Sequence, residues 1–89
     1  MTCERGDIVW VKFPFSDASS LKLRPALIIS NNTVNATGDY LCMQITTRLR
    51  NDHLSLTILN NNYKEVPLLK LSELRLHKIL LFIKALLIK

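Results

Sequence analysis

The segment LKLRPALIIS, residues 21–30, sets Arg24 against Pro25 at the mouth of an apolar run. A guanidinium is suited to one kind of chemistry. Its planar fork of N–H donors can grip two oxygens of a phosphoryl group at once, and the grip tightens as their negative charge grows. The hydroxyls of Thr46 and Thr47, in YLCMQITTRLR, can add a neutral donor beside such a group. The imidazole of His77, in ELRLHK, can give or take a proton, since imidazoles ordinarily titrate near neutral pH. Lys12, Lys22, Arg48, Arg50 and Arg75 add positive charge of the kind that holds phosphates. Taken singly, all of these have plainer readings. Arg24 reads first as a solvated charge ahead of a strand, the threonines as ordinary strand residues, and the remaining cations as solubilising surface.

The rest of the chain limits what could position such groups. With 89 residues there is room for a single domain, 1–89. A chain of this size buries only roughly 60–65% of its unfolded surface, so an apolar excess calls for a second subunit. The net charge of +5 favours an anionic partner: nucleic acid, an acidic protein or a membrane surface. Cys3 and Cys42 are the two cysteines, and neither stands at zinc-ligand spacing to another Cys or His, which predicts free thiols and no metal site. MTCERGDIVW carries an acidic residue and no apolar stretch of signal-peptide length, which predicts a cytoplasmic chain. The tail ILLFIKALLIK is broken by Lys84 and is about half the length of a membrane span, so it reads as core or interface rather than anchor.

Hydrophobic periodicity predicts a mainly β fold. DIVWVKF, residues 7–13, alternates Val9, Val11 and Phe13 against Ile8, Trp10 and Lys12, with Trp10 assigned to the core or a dimer face. The polar stretch 14–23 is long for a hairpin and reads as a functional loop, in which Phe15 could stack on a base or pack on its own domain. Pro25 is placed at the start of a strand, PALIIS, buried on both faces. NNTVNATGD reads as a turn with a short strand at 33–35. YLCMQITT alternates Leu41, Met43 and Ile45 against Tyr40, Cys42, Gln44 and Thr46, and HLSLTIL turns Leu54, Leu56 and Ile58 inward. Asp52 reads as turn chemistry and His53 as solvent-facing. Residues 74–77 read as a strand with Arg75 and His77 on one side, and 79–89 as a helix. Five or so short strands with helices at the margins make a small barrel-like antiparallel sheet.

RGDIVWVKFPFSD, then KLRPALIIS, ITTRLR and PLLKLSELRLHK, in this order, resemble the MazF/PemK family of type II toxin–antitoxin ribonucleases. The resemblance implies an SH3-like antiparallel barrel of the CcdB/MazF type that dimerises. It implies cleavage of single-stranded mRNA at a short sequence without metal or cofactor, and inhibition by an antitoxin laid across the dimer, whose complexes bind DNA. It makes Arg24 a catalytic residue with Thr46 as its partner, and brings Arg75 and His77 to the same site. Lys12, Phe15, Lys22, Thr47, Arg48 and Arg50 are then candidates for holding RNA.

Such a reaction needs no cofactor, because RNA carries its own nucleophile in the 2′-hydroxyl. The enzyme must remove that proton, stabilise the phosphorane-like state and protonate the leaving 5′-oxygen. Arginine serves the middle task, but it stays protonated and is poorly suited to the proton transfers. This sequence departs from the family where His77 stands in place of an aspartate, and His77 is the candidate acid or base. It also stops at Lys89, where relatives continue into one more helix, so the tail either packs into a dimer face or belongs to a longer product. The competing readings are a non-enzymatic toxin on the same barrel, of the kind that binds DNA gyrase, an inactive truncated toxin, and a basic barrel that binds RNA without cutting it.

Overall fold

The computed structural model describes residues 3–13, 22–49, 52–59, 62 and 71–83. They form strands β1 (Ile8–Phe13), β2 (Lys22–Ile28), β3 (Asp39–Thr46), β4 (Ser55–Ile58) and β5 (Ser72–Ile83), with one short helix α1 (Asn32–Asn35) between β2 and β3. All pairings are antiparallel, and the strands lie in the order β1-β2-β3-β5-β4. The fold is therefore mainly β, as periodicity predicts. Among the described residues the sheet is open, with β1 and β4 as its edges.

One face of the sheet holds the core. Val9, Val11, Ala26, Ile28, Tyr40, Cys42 and Phe82 are buried there in a single cluster. The alternation expected for β1 holds, with Val9 and Val11 inside and Trp10 outside. Trp10 is 38% exposed and so lies outside the core. In β3 it is the Tyr40–Cys42 side that meets this core.

Cys3 joins the cluster because the chain turns back just before β1. The Asp7 N–H donates to the Glu4 carbonyl at 3.0 Å, and Gly6 sits at φ +97°, a conformation that favours glycine. Cys3 and Cys42 are both buried, free thiols. Burial first, and the neighbouring Cys3 second, push the Cys42 thiol up to about 11.

Several local expectations are corrected. Pro25 lies inside β2, paired with Trp10, rather than at the start of the strand. In β2 only Ala26 and Ile28 are fully buried, while Pro25 and Leu27 on the other face remain half-buried. Residues 33–35 are helical, because Asn31 accepts the Val34 N–H at 3.1 Å and caps a helical turn that local polarity had suggested was a strand. The buried Ser30 and Asn35 bond to each other, and Ser30 Oγ accepts the Leu41 N–H at 3.0 Å, which fastens this turn to β3. In β4, Leu54 and Leu56 are 45% and 58% exposed, which corrects their inward-facing assignment; β4 is an edge of the sheet among the described residues, where fewer neighbours cover a side chain. The predicted helix from Ile79 is strand as far as Ile83, drawn into the sheet by pairing with Asp39–Met43. Residues 84–89 lie outside the described part, as does the long first loop through Leu21.

Candidate functional site

Backbone chemistry opens the sheet beside Arg24. The Ile29 N–H donates to the Leu41 carbonyl at 2.9 Å, while the Ile28 N–H turns the other way, to Asp7 at 2.9 Å. Strand alternation then directs every odd-numbered N–H of β2 toward β3. At position 25 that donor would meet Ile45, and proline has none to give. The β2–β3 ladder accordingly stops at Ala26–Gln44.

Two residues further along each strand stand Arg24 and Thr46, past the last pair and, by strand alternation, on the same sheet face. Pro25 ends the pairing where Arg24 begins to need room.

A second interruption lies on the other side of β3. Met43 pairs with Ile79 and Ile45 with Leu74, so the four residues 75–78 of β5 face only Gln44. This bulge shifts the alternation of β5 by one, because Leu74 and Ile79 are five apart and yet share a face. Regular pairing resumes with Thr46 opposite Glu73, and Glu73 in turn opposite Thr57 of β4. Thr46, Glu73 and Thr57 therefore form one row across three paired strands, at steps of roughly 5 Å, and Arg24 lies on the same sheet face beyond the last β2–β3 pair.

Arg24 is half-buried, while Thr46 and Glu73 are 8% and 6% exposed. Thr46 Oγ accepts the Arg48 N–H at 3.1 Å, which leaves its own proton available to an acceptor. That bond also shapes the turn in which Thr47 and Arg48 are exposed, next to the row.

Arg75, the next residue of β5 on the side of Glu73, is held inside the protein. Its guanidinium donates to both Asp52 oxygens, at 3.0 and 3.1 Å, and to Ser55 Oγ. Desolvation pushes the Asp52 carboxyl up. The Leu54 N–H, the Arg75 hydrogen bond and the Arg75 charge outweigh it and hold the carboxyl below the ordinary aspartate range. His77 is exposed within the bulge, so it and Arg75 occupy different surroundings.

Of the residues singled out by sequence, the structure thus brings Arg24, Thr46, Thr47 and Arg48 to one end of the sheet, with Arg75 opposite Ser55 toward the β4 edge and His77 in the bulge. Lys12 is exposed, but it pairs with Leu23 and belongs to the opposite face. Lys22 is placed by its backbone opposite Phe13. Phe15 and Arg50 lie outside the described residues. Sequence reasoning missed Glu73 and the second role of Asp52. The signal for Glu73 was its spacing of two from Arg75, which in a strand gives a shared face. Nothing in the sequence pointed from Asp52 to an arginine 23 positions away.

The site and sheet define a small antiparallel β domain with a polar, partly basic opening at one end. Residues 4–89 match the family of PemK-like, MazF-like toxins of type II toxin–antitoxin systems, and the chain belongs to that family. A comparison with curated proteins returns no match.

Proposed function

We propose that the chain is a metal-independent endoribonuclease, cutting single-stranded mRNA at a short sequence and leaving a 2′,3′-cyclic phosphate. Toxins of this family are generally mRNA-cleaving endoribonucleases. The observation that carries the reading here is that Arg24 and Thr46 each stand two residues beyond the last β2–β3 pair, where the ladder closes next to Pro25.

Arg24 binds the scissile diester through two oxygens and strengthens its hold as charge develops. The Thr46 hydroxyl stands beside it. Thr47 and Arg48 hold flanking phosphates, and the charges of Lys22 and Arg50 are of the kind that adds to that hold. His77, exposed to solvent, is the candidate to pass a proton from solvent to the leaving 5′-oxygen. Arg75, committed to Asp52 and Ser55, supports β4 and β5 beneath the site. The active form is a cytoplasmic homodimer neutralised by a cognate antitoxin. Its exposed apolar side chains on the second sheet face, Trp10, Ile79 and Leu81, are of the kind a subunit contact covers.

The test is incubation of single-stranded RNA with the protein in EDTA, comparing wild type with Arg24→Ala. Cyclic-phosphate ends that vanish in the variant are expected. RNA binding without cleavage by the wild type would overturn the proposal in favour of a binding module, and gyrase inhibition without cleavage in favour of a non-enzymatic toxin.

A further inference from the structure

Arginine and threonine leave one task unassigned, because neither readily accepts the proton of the 2′-hydroxyl at neutral pH. Exposed His77 stands in the bulge, outside the row of Thr46 and Thr57. The carboxylate of Glu73 stands in it. Its backbone pairs directly with Thr46, placing both side chains on one face of neighbouring strands, and it is 94% buried at that position.

A carboxylate is rarely buried to this degree unless it is paired or hydrogen-bonded, and Glu73 is engaged by such an interaction, which holds it in place on the face it shares with Thr46. The charged residues that the strands bring to this end of the sheet are Arg24 on β2, Arg48 two residues past the end of β3, Arg75 on its own strand and Lys78 in the bulge. Asp52 is paired to Arg75, and His77 lies in the bulge. From β4 the facing residues are Thr57 and Ser55, which carry no charge.

We propose that Glu73 is a positioning and proton-accepting residue that acts through Thr46, completing an Arg24–Thr46–Glu73 site that deprotonates the 2′-hydroxyl of RNA. This rests on the ribonuclease reading above. As the 2′-oxygen attacks phosphorus, its O–H bond breaks and the proton passes to Thr46 Oγ, while the Thr46 proton passes to the Glu73 carboxylate. The new 2′-O–P bond forms as the P–O5′ bond breaks, and the leaving 5′-oxygen takes a proton from solvent water, directly or by way of His77. Glu73 then returns its proton to solvent, so the cyclisation consumes and releases no net proton.

The experiment is single-turnover cleavage of a single-stranded RNA across pH by wild type, Glu73→Gln, Thr46→Val, the double variant, His77→Ala and Arg24→Ala. Folding of each variant is checked by circular dichroism. The expected result is a loss of roughly a hundredfold or more in the rate constant for Glu73→Gln, the scale of general-base catalysis, with RNA affinity changed less than about threefold. The double variant should be no slower than Thr46→Val, because the two groups act as a unit.

The acid limb of the wild-type profile should persist in His77→Ala and flatten in Glu73→Gln. If the glutamine variant fails to fold, the wild-type and His77→Ala profiles still decide. Absence of an acid limb, or its loss in His77→Ala, overturns the proposal. Wild-type rate and profile in folded Glu73→Gln, with cleavage abolished in Arg24→Ala, overturns the role of Glu73 and leaves the nuclease reading standing. No cleavage by the wild type overturns both.

Discussion

The two ends of one sheet face are built from the same strands and do opposite things. Toward Ile28, Tyr40 and Phe82 the face is apolar and fully buried, and its ladders run without interruption. Toward Arg24, Thr46 and Glu73 the same strands present charge and hydroxyl groups, and both ladders of β3 are broken, by Pro25 on one side and by the bulge at 75–78 on the other. The difference lies in what the backbone is allowed to pair with. A continuous ladder leaves no polar group for a ligand, while an interrupted one frees space and donors at a defined place on an otherwise rigid sheet.

Substitutions at the two ends should therefore fail in different ways. At the polar end, Arg24→Ala should cut cleavage by roughly a thousandfold or more, the scale of losing a charge-stabilising donor, with little change in the urea midpoint. At the apolar end, Ile28→Ala should leave a cavity and cost about 2–5 kcal/mol of stability by urea unfolding, while any folded fraction keeps its specific activity.

Between them lies the Asp52–Arg75 pair. The Asp52 carboxyl is held low in the folded state, so the pair contributes stability that is fully present above the ordinary aspartate range, about pH 4, and is lost as pH falls through the lowered value. Wild type should exceed Asp52→Asn in urea midpoint at pH 7, and the two should converge in acid. Equal midpoints at pH 7 would detach the pair from the fold.

Buried Cys42, with its thiol pushed up to about 11, should resist alkylation at pH 8 until urea unfolds the chain. The smallest effect concerns the junction itself. Pro25→Ala restores an N–H facing Ile45, and the new amide should exchange slowly as the ladder extends toward Arg24. Stability should change by less than about 1 kcal/mol, because the gained hydrogen bond is offset by a looser unfolded chain, and cleavage should fall a few-fold.

Much of this was legible in the sequence where a local rule governs. The period of two in IVWVKF and YLCMQIT gave β1 and β3, and the proline beside which the β2–β3 ladder ends is visible in LRPAL. What sequence could not deliver were features set by partners distant along the chain. The residues from Ile79 are apolar enough for a helix, and only pairing with Asp39–Met43 makes them strand. Reading Leu74 to His77 as a plain alternation missed the bulge, because a bulge is defined by what the neighbouring strand lacks. Glu73 passed unnoticed for the same reason, its position opposite Thr46 being a matter of register.

The most direct test of a working polar end is an amide-resolved NMR titration with a short single-stranded RNA carrying 2′-O-methyl groups, which cannot be cut. Shifts concentrated at Arg24, Thr46, Thr47, Arg48 and Glu73, with Tyr40, Cys42 and Phe82 unmoved, are the predicted result. Shifts confined to the far end of the sheet, or to the Trp10 face with Arg24 and Thr46 unchanged, would contradict it.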